Sequence, residues 1–355
     1  MRAVRVVAAR RSAVVPRGGA FAGLDPHQLA APVIAACLAD AGLAAGAVDE
    51  LICSNAIGPG GNLARVVALA AGLPQEVAGL TVDRQCAGGL DALLLGQALI
   101  AAGQADVVIA GGVESYSRRP LRAFDGPEGP EFYTQAPFTP WPERDPDMAG
   151  AADRLGQICD IPRGEADAWS VISHEKAMAS QFPEIVEIAG IATDPYPRQM
   201  AAGVMRRAPV LAGAVTVANT AVAADAAAFF VLMAEPLARG RGLVVGRGRS
   251  LGGQPDLPGL APVAAIRAID GAGADRAEIM EAYAVQALAC VRQAGLDPAR
   301  VNLKGGALAR GHPIGASGAI LVVRLFHDLL PGETGLAAIA AAGGIGTALL
   351  LHRDP

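Results

Sequence analysis

The sequence predicts an α/β protein made of two related halves. Three observations carry this. Strand-like and helix-like segments alternate along most of the 355 residues. The segment from Cys86 to Ala102 reads as a helix that is apolar nearly all round (Leu90, Leu93, Leu94, Leu95, Leu99, Ile100), and such a helix belongs between layers. The order helix, turn, strand and Gly-Gly occurs twice, first over 86–112 and again from about 316 to 344, which points to an internal duplication.

The elements follow in order. MRAVRVVAARRSAVV reads as a first strand, too rich in internal Arg for a secretory signal. Residues 27–44 read as a helix ended by Gly42, and 48–56 as a short strand. The turn GPGGN leads into a second helix over about 63–72. LTVD is a strand, the apolar helix runs to Gly103, and ADVVIAGG is a strand without polar alternation, hence buried on both faces. Residues 118–209 change character: Pro is frequent, charges cluster, and most aromatics fall here. This predicts an inserted loop region carrying a few helices, such as GEADAWSVISHEKAMAS with His174 on its surface. Regular texture resumes near Val215 and ends with a helix over about 316–329, the turn PGET and the strand GLAAIAAA.

Composition narrows the function. Apolar residues make up 52% and charged residues 18%, which excludes a disordered chain. A net charge of −5 gives no electrostatic case for nucleic acid or an anionic membrane as partner. Apolar runs break before the roughly 20 residues a membrane span needs. The five cysteines are scattered without a CxxC pair, so neither disulfides nor a structural zinc or other metal site is expected, and a reducing cytoplasm is the expected compartment.

Two residues stand in contexts suited to chemistry. Cys86 lies at the junction of a strand and the buried helix, followed by Ala-Gly-Gly. The helix dipole and free first-turn N–H groups would favour its thiolate, and the glycines would admit another group and leave N–H donors for an oxyanion. A small core thiol is the ordinary alternative for a Cys. His312 lies in NLKGGALARGHPIGASG, a Gly-rich segment that reads as a fixed loop and suits a general base. A Cys with a distant His is the pattern of a thiol acyl-transfer site. Cys290, mid-helix in VQALACVRQ, reads as core packing.

These segments, with others, resemble the thiolase family of acyl-CoA C-acyltransferases nearly end to end. VDRQCAGGLDAL resembles the nucleophile motif, AGGVESYS the strand end that follows it, and TVANTAVAADAAA the TAGNASGxNDGAA segment. MEAYA stands where the family has NEAFA, NLKGGALARGHPIGASG resembles the His loop, and IAAAGGIG stands where the family has C-x-GGG-x-G. The resemblance implies a five-layer αβαβα sandwich of two duplicated mixed-sheet halves with an inserted loop domain. The halves would be 1–117 plus 215–240 and 241–355, with 118–214 inserted. It implies that Cys86 takes an acyl group from an acyl-CoA or acyl carrier protein, that His312 activates it, and that the N–H groups of Cys86, Ala342 and Gly343 face the acyl oxygen. Coenzyme A would enter as a thioester substrate, with no permanent cofactor. A homodimer is implied, possibly a tetramer, although the loop region is shorter than usual for the family.

The chain departs from the family pattern at four places. Ala340 replaces the second cysteine, Met280 the NEAF Asn, Ala221 a Ser near the CoA arm, and Ala342 the first Gly of the GGG run. Ala340 and Met280 cannot move the proton of a carbon acid. The acyl group would therefore pass to a carbon or other nucleophile needing little such help. The alternatives are a conventional thiolase with a substituted proton-transfer group, and a degenerate subunit supporting an accessory partner. Met148, Ala221, Met280 and Ala340 are pocket candidates, and the lost polar groups suggest an enlarged, drier pocket. Arg118, Arg119, Arg206 and Arg207 are candidates for CoA phosphates, with a solvated charge run as the plainer reading. Glu281 and Tyr283 are expected to orient the MEAYA loop.

Overall fold

The computed structural model describes residues 2–355. In the first half, strands Val4–Ser12, Ala224–Ala234, Val107–Ser115, Glu50–Ser54 and Leu80–Val82 lie side by side. Their pairings run antiparallel, antiparallel, parallel, parallel. In the second half, Leu243–Gly252, Ile345–Arg353, Thr334–Ala341 and Arg276–Ile279 repeat the first three of these pairings. A parallel bridge from Ala277 to Val301 supplies the fourth. The matching sequence of pairings is the duplication that the repeated helix–strand unit predicts. One detail differs: the sheets are not separate, because Arg5 and Val6 pair with Val244 and Leu243 and join their edges.

Side-chain alternation sorts the strands between three cores. On Ala224–Ala234, Phe230 and Leu232 point into a core between the sheets, and Phe229 and Val231 into an outer one. Helices Pro26–Ala41 and Leu63–Ala70 cover that outer face. Ala261–Ala268 and Ala284–Ala294, the latter carrying fully buried Cys290, cover the outer face of the second sheet. Helices Gly88–Ala101 and Ile314–Asp328 form the middle layer.

The middle layer departs from expectation in two ways. Ile314–Asp328 is enclosed almost throughout, but the far half of Gly88–Ala101 reaches the surface, with Leu95 41% exposed and Leu94 and Leu99 half-buried. The first helix also starts at Gly88 and not at Cys86. Cys86 belongs to a tight turn in which the Ala87 N–H donates to Arg84 O and the Gly88 N–H to Gln85 O.

The inserted region holds a hairpin, Arg122–Gly126 with Gly129–Tyr133, and helices Met148–Ile158, Arg163–Met178 and Ala202–Arg207. His174 is not on a surface. It is 1% exposed, its Nδ1 accepts from the Arg198 N–H at 3.3 Å, and burial reinforced by Arg198 pushes its pKa down to about 4. Among the described residues, no helix is long and apolar enough to cross a membrane.

Candidate active site

The two central helices are joined by backbone contact near their starts. A Cβ on Gly89 would lie 2.4 Å from the Ala319 nitrogen, and one on Gly318 would lie 2.7 Å from the Leu90 nitrogen. Gly88 is likewise pressed against Ser54 Oγ, where a Cβ would lie 2.1 Å away. The glycines after Cys86 therefore serve close helix packing, where expectation had them opening space around the sulfur. The same contact brings the segments preceding both helices together. Cys86 and His312 lie on those segments, and Cys86 Sγ is 3.2 Å from His312 Nε2.

His312 is held on both sides. Its backbone N–H donates to Val222 O at 2.7 Å, and its Nδ1 is 2.7 Å from Ser317 Oγ. The Ser317 hydroxyl donates to Pro313 O at 3.0 Å, so its oxygen is left to accept from Nδ1–H. This assigns the tautomer: Nε2 carries the lone pair that faces Cys86.

Burial sets the resting protonation state. It pushes the Cys86 thiol up to about 12, against the pull of the backbone N–H groups of Cys86 and Ala342. It pushes His312 down to about 4, helped by Arg310. Both shifts favour a neutral thiol beside a neutral imidazole. The thiolate expected from the helix dipole is not the resting form, because desolvation outweighs the dipole and the helix begins two residues later.

Ala342 is absent from the non-glycine residues at positive φ, so its Cβ is tolerated while its N–H reaches the sulfur. Gly343 and Gly344 take the left-handed turn that follows, with φ 78° and 76°. Gln85, directly before the nucleophile, holds φ 49°, a strained value for a residue with a side chain.

Cys86 and His312 open onto a cavity of about 320 Å³. The pocket candidates Met148, Ala221 and Ala340 line it, and so does Ala342. Met280 does not: it is 1% exposed inside the central core, its N–H bonded to Ala338 O at 2.9 Å. The cavity is not dry either. Tyr116, Arg122, Thr220, Tyr283 and Gln286 all face it, and of these the sequence singled out only Tyr283, as a loop-orienting residue. The CoA-phosphate candidates lie outside this cavity. Arg118 pairs with Asp25 at 3.0 Å, Arg119 lies over the Tyr116 ring in an adjoining pocket, and Arg206 and Arg207 are exposed at a helix end.

Two buried carboxylates brace the site. Glu281 accepts from Trp169 Nε1, Ser173 Oγ, Asn302 Nδ2 and the Leu308 N–H at 2.8–3.2 Å, which ties the MEAYA loop to the inserted helix and the His loop. Glu114 accepts from Asn55 Nδ2 at 2.7 Å, from the N–H groups of Ala56 and Ile57, and from the Gly315 N–H at 2.9 Å. Burial raises Glu114 to about 7 against these donors.

The chain matches the family model "Thiolase, N-terminal domain" over residues 4–236 and "Thiolase, C-terminal domain" over 244–353. It is 36% identical to an acetyl-CoA acetyltransferase of Pseudomonas aeruginosa, with 100% of each chain covered. Among solved structures it is similar to the Acat5 thiolase of Ascaris suum in complex with coenzyme A, with a TM-score of 0.92 and 26% identity, over 99% of this chain and 100% of that one. It is also similar to human mitochondrial 3-ketoacyl-CoA thiolase in complex with CoA, with a TM-score of 0.93 and 27% identity, over 100% of this chain and 98% of that one. With both family models matched across two sheets that repeat one pairing order, this chain belongs to the thiolase family and is an acyltransferase of the thiolase superfamily.

Proposed function

We propose that the enzyme carries its acyl group on Cys86, taken from an acyl-CoA or acyl carrier thioester and passed to an acceptor nucleophile. The observation that carries this reading is the 3.2 Å contact between Cys86 Sγ and the lone-pair nitrogen of His312 at the cavity. The Cys86 proton moves to His312 Nε2 as the sulfur attacks the thioester carbonyl carbon. The backbone N–H groups of Cys86 and Ala342 receive the developing oxyanion. Collapse expels the carrier thiolate, which takes the proton back from His312, and leaves an acyl-Cys86 thioester. The acceptor then gives its proton to His312 and attacks the thioester, and Cys86 leaves as a thiolate that takes this proton back from His312 Nε2.

Removing the proton of an unactivated acyl-CoA carbon would ask for a second base. Ala340 stands in the cavity with no atom for that task, and Met280 is turned away from it. The acceptor favoured here is therefore a thiol, an alcohol, an amine or an already acidic carbon. A conventional acetyl-CoA acetyltransferase is the second reading, supported by the name of the Pseudomonas aeruginosa relative. Steady-state thiolysis of acetoacetyl-CoA separates the two: turnover above about 1 per second, within the usual range for enzymes, establishes the conventional reading.

We carry the homodimer as part of the proposal. The edge strand Leu80–Val82 leaves Leu80 45% exposed, and an unpaired edge of this kind suits pairing with a second copy. Light scattering at micromolar concentration that returns a monomer would overturn it.

A further inference from the structure

The cavity wall contains a cation without a counterion. Arg122, at the start of the inserted hairpin, is half-buried and lines both the cavity that holds Cys86 and the adjoining pocket that holds Arg119. Its hydrogen bond runs from Nη2 to Ala56 O at 3.2 Å, and it forms no ion pair among the described residues. Among the described residues, no Asp or Glu lines either space. The nearest buried carboxylate in the sequence around it, Glu114, is occupied by Asn55 and by the N–H groups of Ala56, Ile57 and Gly315. Two further guanidiniums, Arg119 at 4.6 Å and Arg17 at 5.7 Å, lie over the ring of Tyr116, which itself lines the cavity. Neither forms an ion pair among the described residues. A partly desolvated guanidinium with no anion is unfavourable, and an incoming anion offsets that cost.

We propose that the acyl group this enzyme carries ends in a carboxylate, and that Arg122 receives it. The proposal rests on the acyl-Cys86 reading. The other source of the same chemistry is a CoA phosphate. The whole pantetheine arm separates those phosphates from the sulfur, whereas Arg122 shares one cavity of about 320 Å³ with Cys86. A carboxylate at the far end of the acyl chain fits that placement. Charged and neutral acyl groups of equal length would then be told apart by a single fork-shaped donor.

The test measures the rate of Cys86 acylation by intact mass spectrometry with matched pairs of donors: succinyl- against butyryl-CoA, glutaryl- against valeryl-CoA, adipyl- against hexanoyl-CoA. The same pairs are run as pantetheine thioesters, which lack the nucleotide phosphates, and as competitive ligands of the Cys86→Ala protein. The expected result is that one carboxylated donor exceeds its neutral partner by roughly 10- to 100-fold, the strength of one charge-assisted contact. That ratio falls towards one in Arg122→Gln, recovers partly in Arg122→Lys, and persists with pantetheine thioesters. Equal rates within every pair overturn the proposal. So does a loss of rate in Arg122→Gln that is equal for both members of every pair and vanishes with pantetheine thioesters, since Arg122 then serves the phosphates. Absence of any adduct from both series counts against the acyl-Cys86 reading, and the ligand preference of Cys86→Ala still decides the role of Arg122.

Discussion

Gly89 and Gly318 face each other where the two central helices cross, with the Cβ position of Gly318 only 3.3 Å from Gly89 Cα. The reacting pair depends on this contact, because Cys86 and His312 each lie just ahead of one of the two helices. A side chain at the crossing forces the helices apart and the two reacting atoms with them.

Gly318→Ala therefore costs stability although Ala is the better helix former. The Cβ would sit 2.7 Å from the Leu90 backbone nitrogen, which has no flexible end to give way. Overpacking of this kind costs about 1–3 kcal/mol, more than the roughly 1 kcal/mol that helix propensity returns. Calorimetry should show a lower Tm. Acylation of Cys86 should fall by about 100-fold for a displacement near 1 Å.

The pH dependence of acylation follows from His312. Only its neutral form accepts the Cys86 proton, and burial lowers its pKa to about 4. The acylation rate should stay level as pH falls from 8 to about 5 and drop only near 4. An ordinary histidine would lose activity near 6.5. Alkylation of resting Cys86 by iodoacetamide should rise with pH past 10 without a plateau, because the thiol is pushed up to about 12.

Glu281 is the acceptor for four donors from two segments. Glu281→Ala leaves Trp169 Nε1, Ser173 Oγ, Asn302 Nδ2 and the Leu308 N–H without their shared partner. Each buried orphan costs about 1–3 kcal/mol, so urea unfolding should show a loss of at least about 3 kcal/mol. Glu281→Gln, which keeps one carbonyl oxygen, should lose less.

Ala340→Cys places a proton-carrying thiol in the cavity wall beside the reacting pair. General acid–base help is worth about 10²–10⁴-fold, so condensation or thiolysis of acetoacetyl-CoA should rise by an amount in that range. Cys86 acylation by acetyl-CoA, which needs no second base, should change by less than about threefold on the same grounds.

The layers were legible because strand and helix periodicity survive in an Ala-rich chain. The duplicated unit at 86–112 and 316–344 pointed to two related halves, and the halves repeat one order of strand pairing. Cys86 and His312 were legible because each breaks a regular segment with glycines around it. The rest was hidden for local reasons. Met280 follows the strand Arg276–Ile279, and only its register decides that the side chain enters the core and not the cavity. Arg122 and Tyr116 come from or border an inserted region with no periodic pattern, so nothing in the chain announces which of its arginines turns inward. His174 was misread because its helix has mixed polarity on every face, and the segment that buries it, around Arg198, is 24 residues away.

The central claim is a covalent acyl group on Cys86. Intact-protein mass spectrometry after brief incubation with acetyl-, malonyl-, hexanoyl- and adipyl-CoA tests it most directly. A mass gain equal to the acyl group, absent in Cys86→Ala and slowed about 100-fold or more in His312→Ala, is the predicted result. No gain with any donor, or a gain that survives Cys86→Ala, would contradict the account.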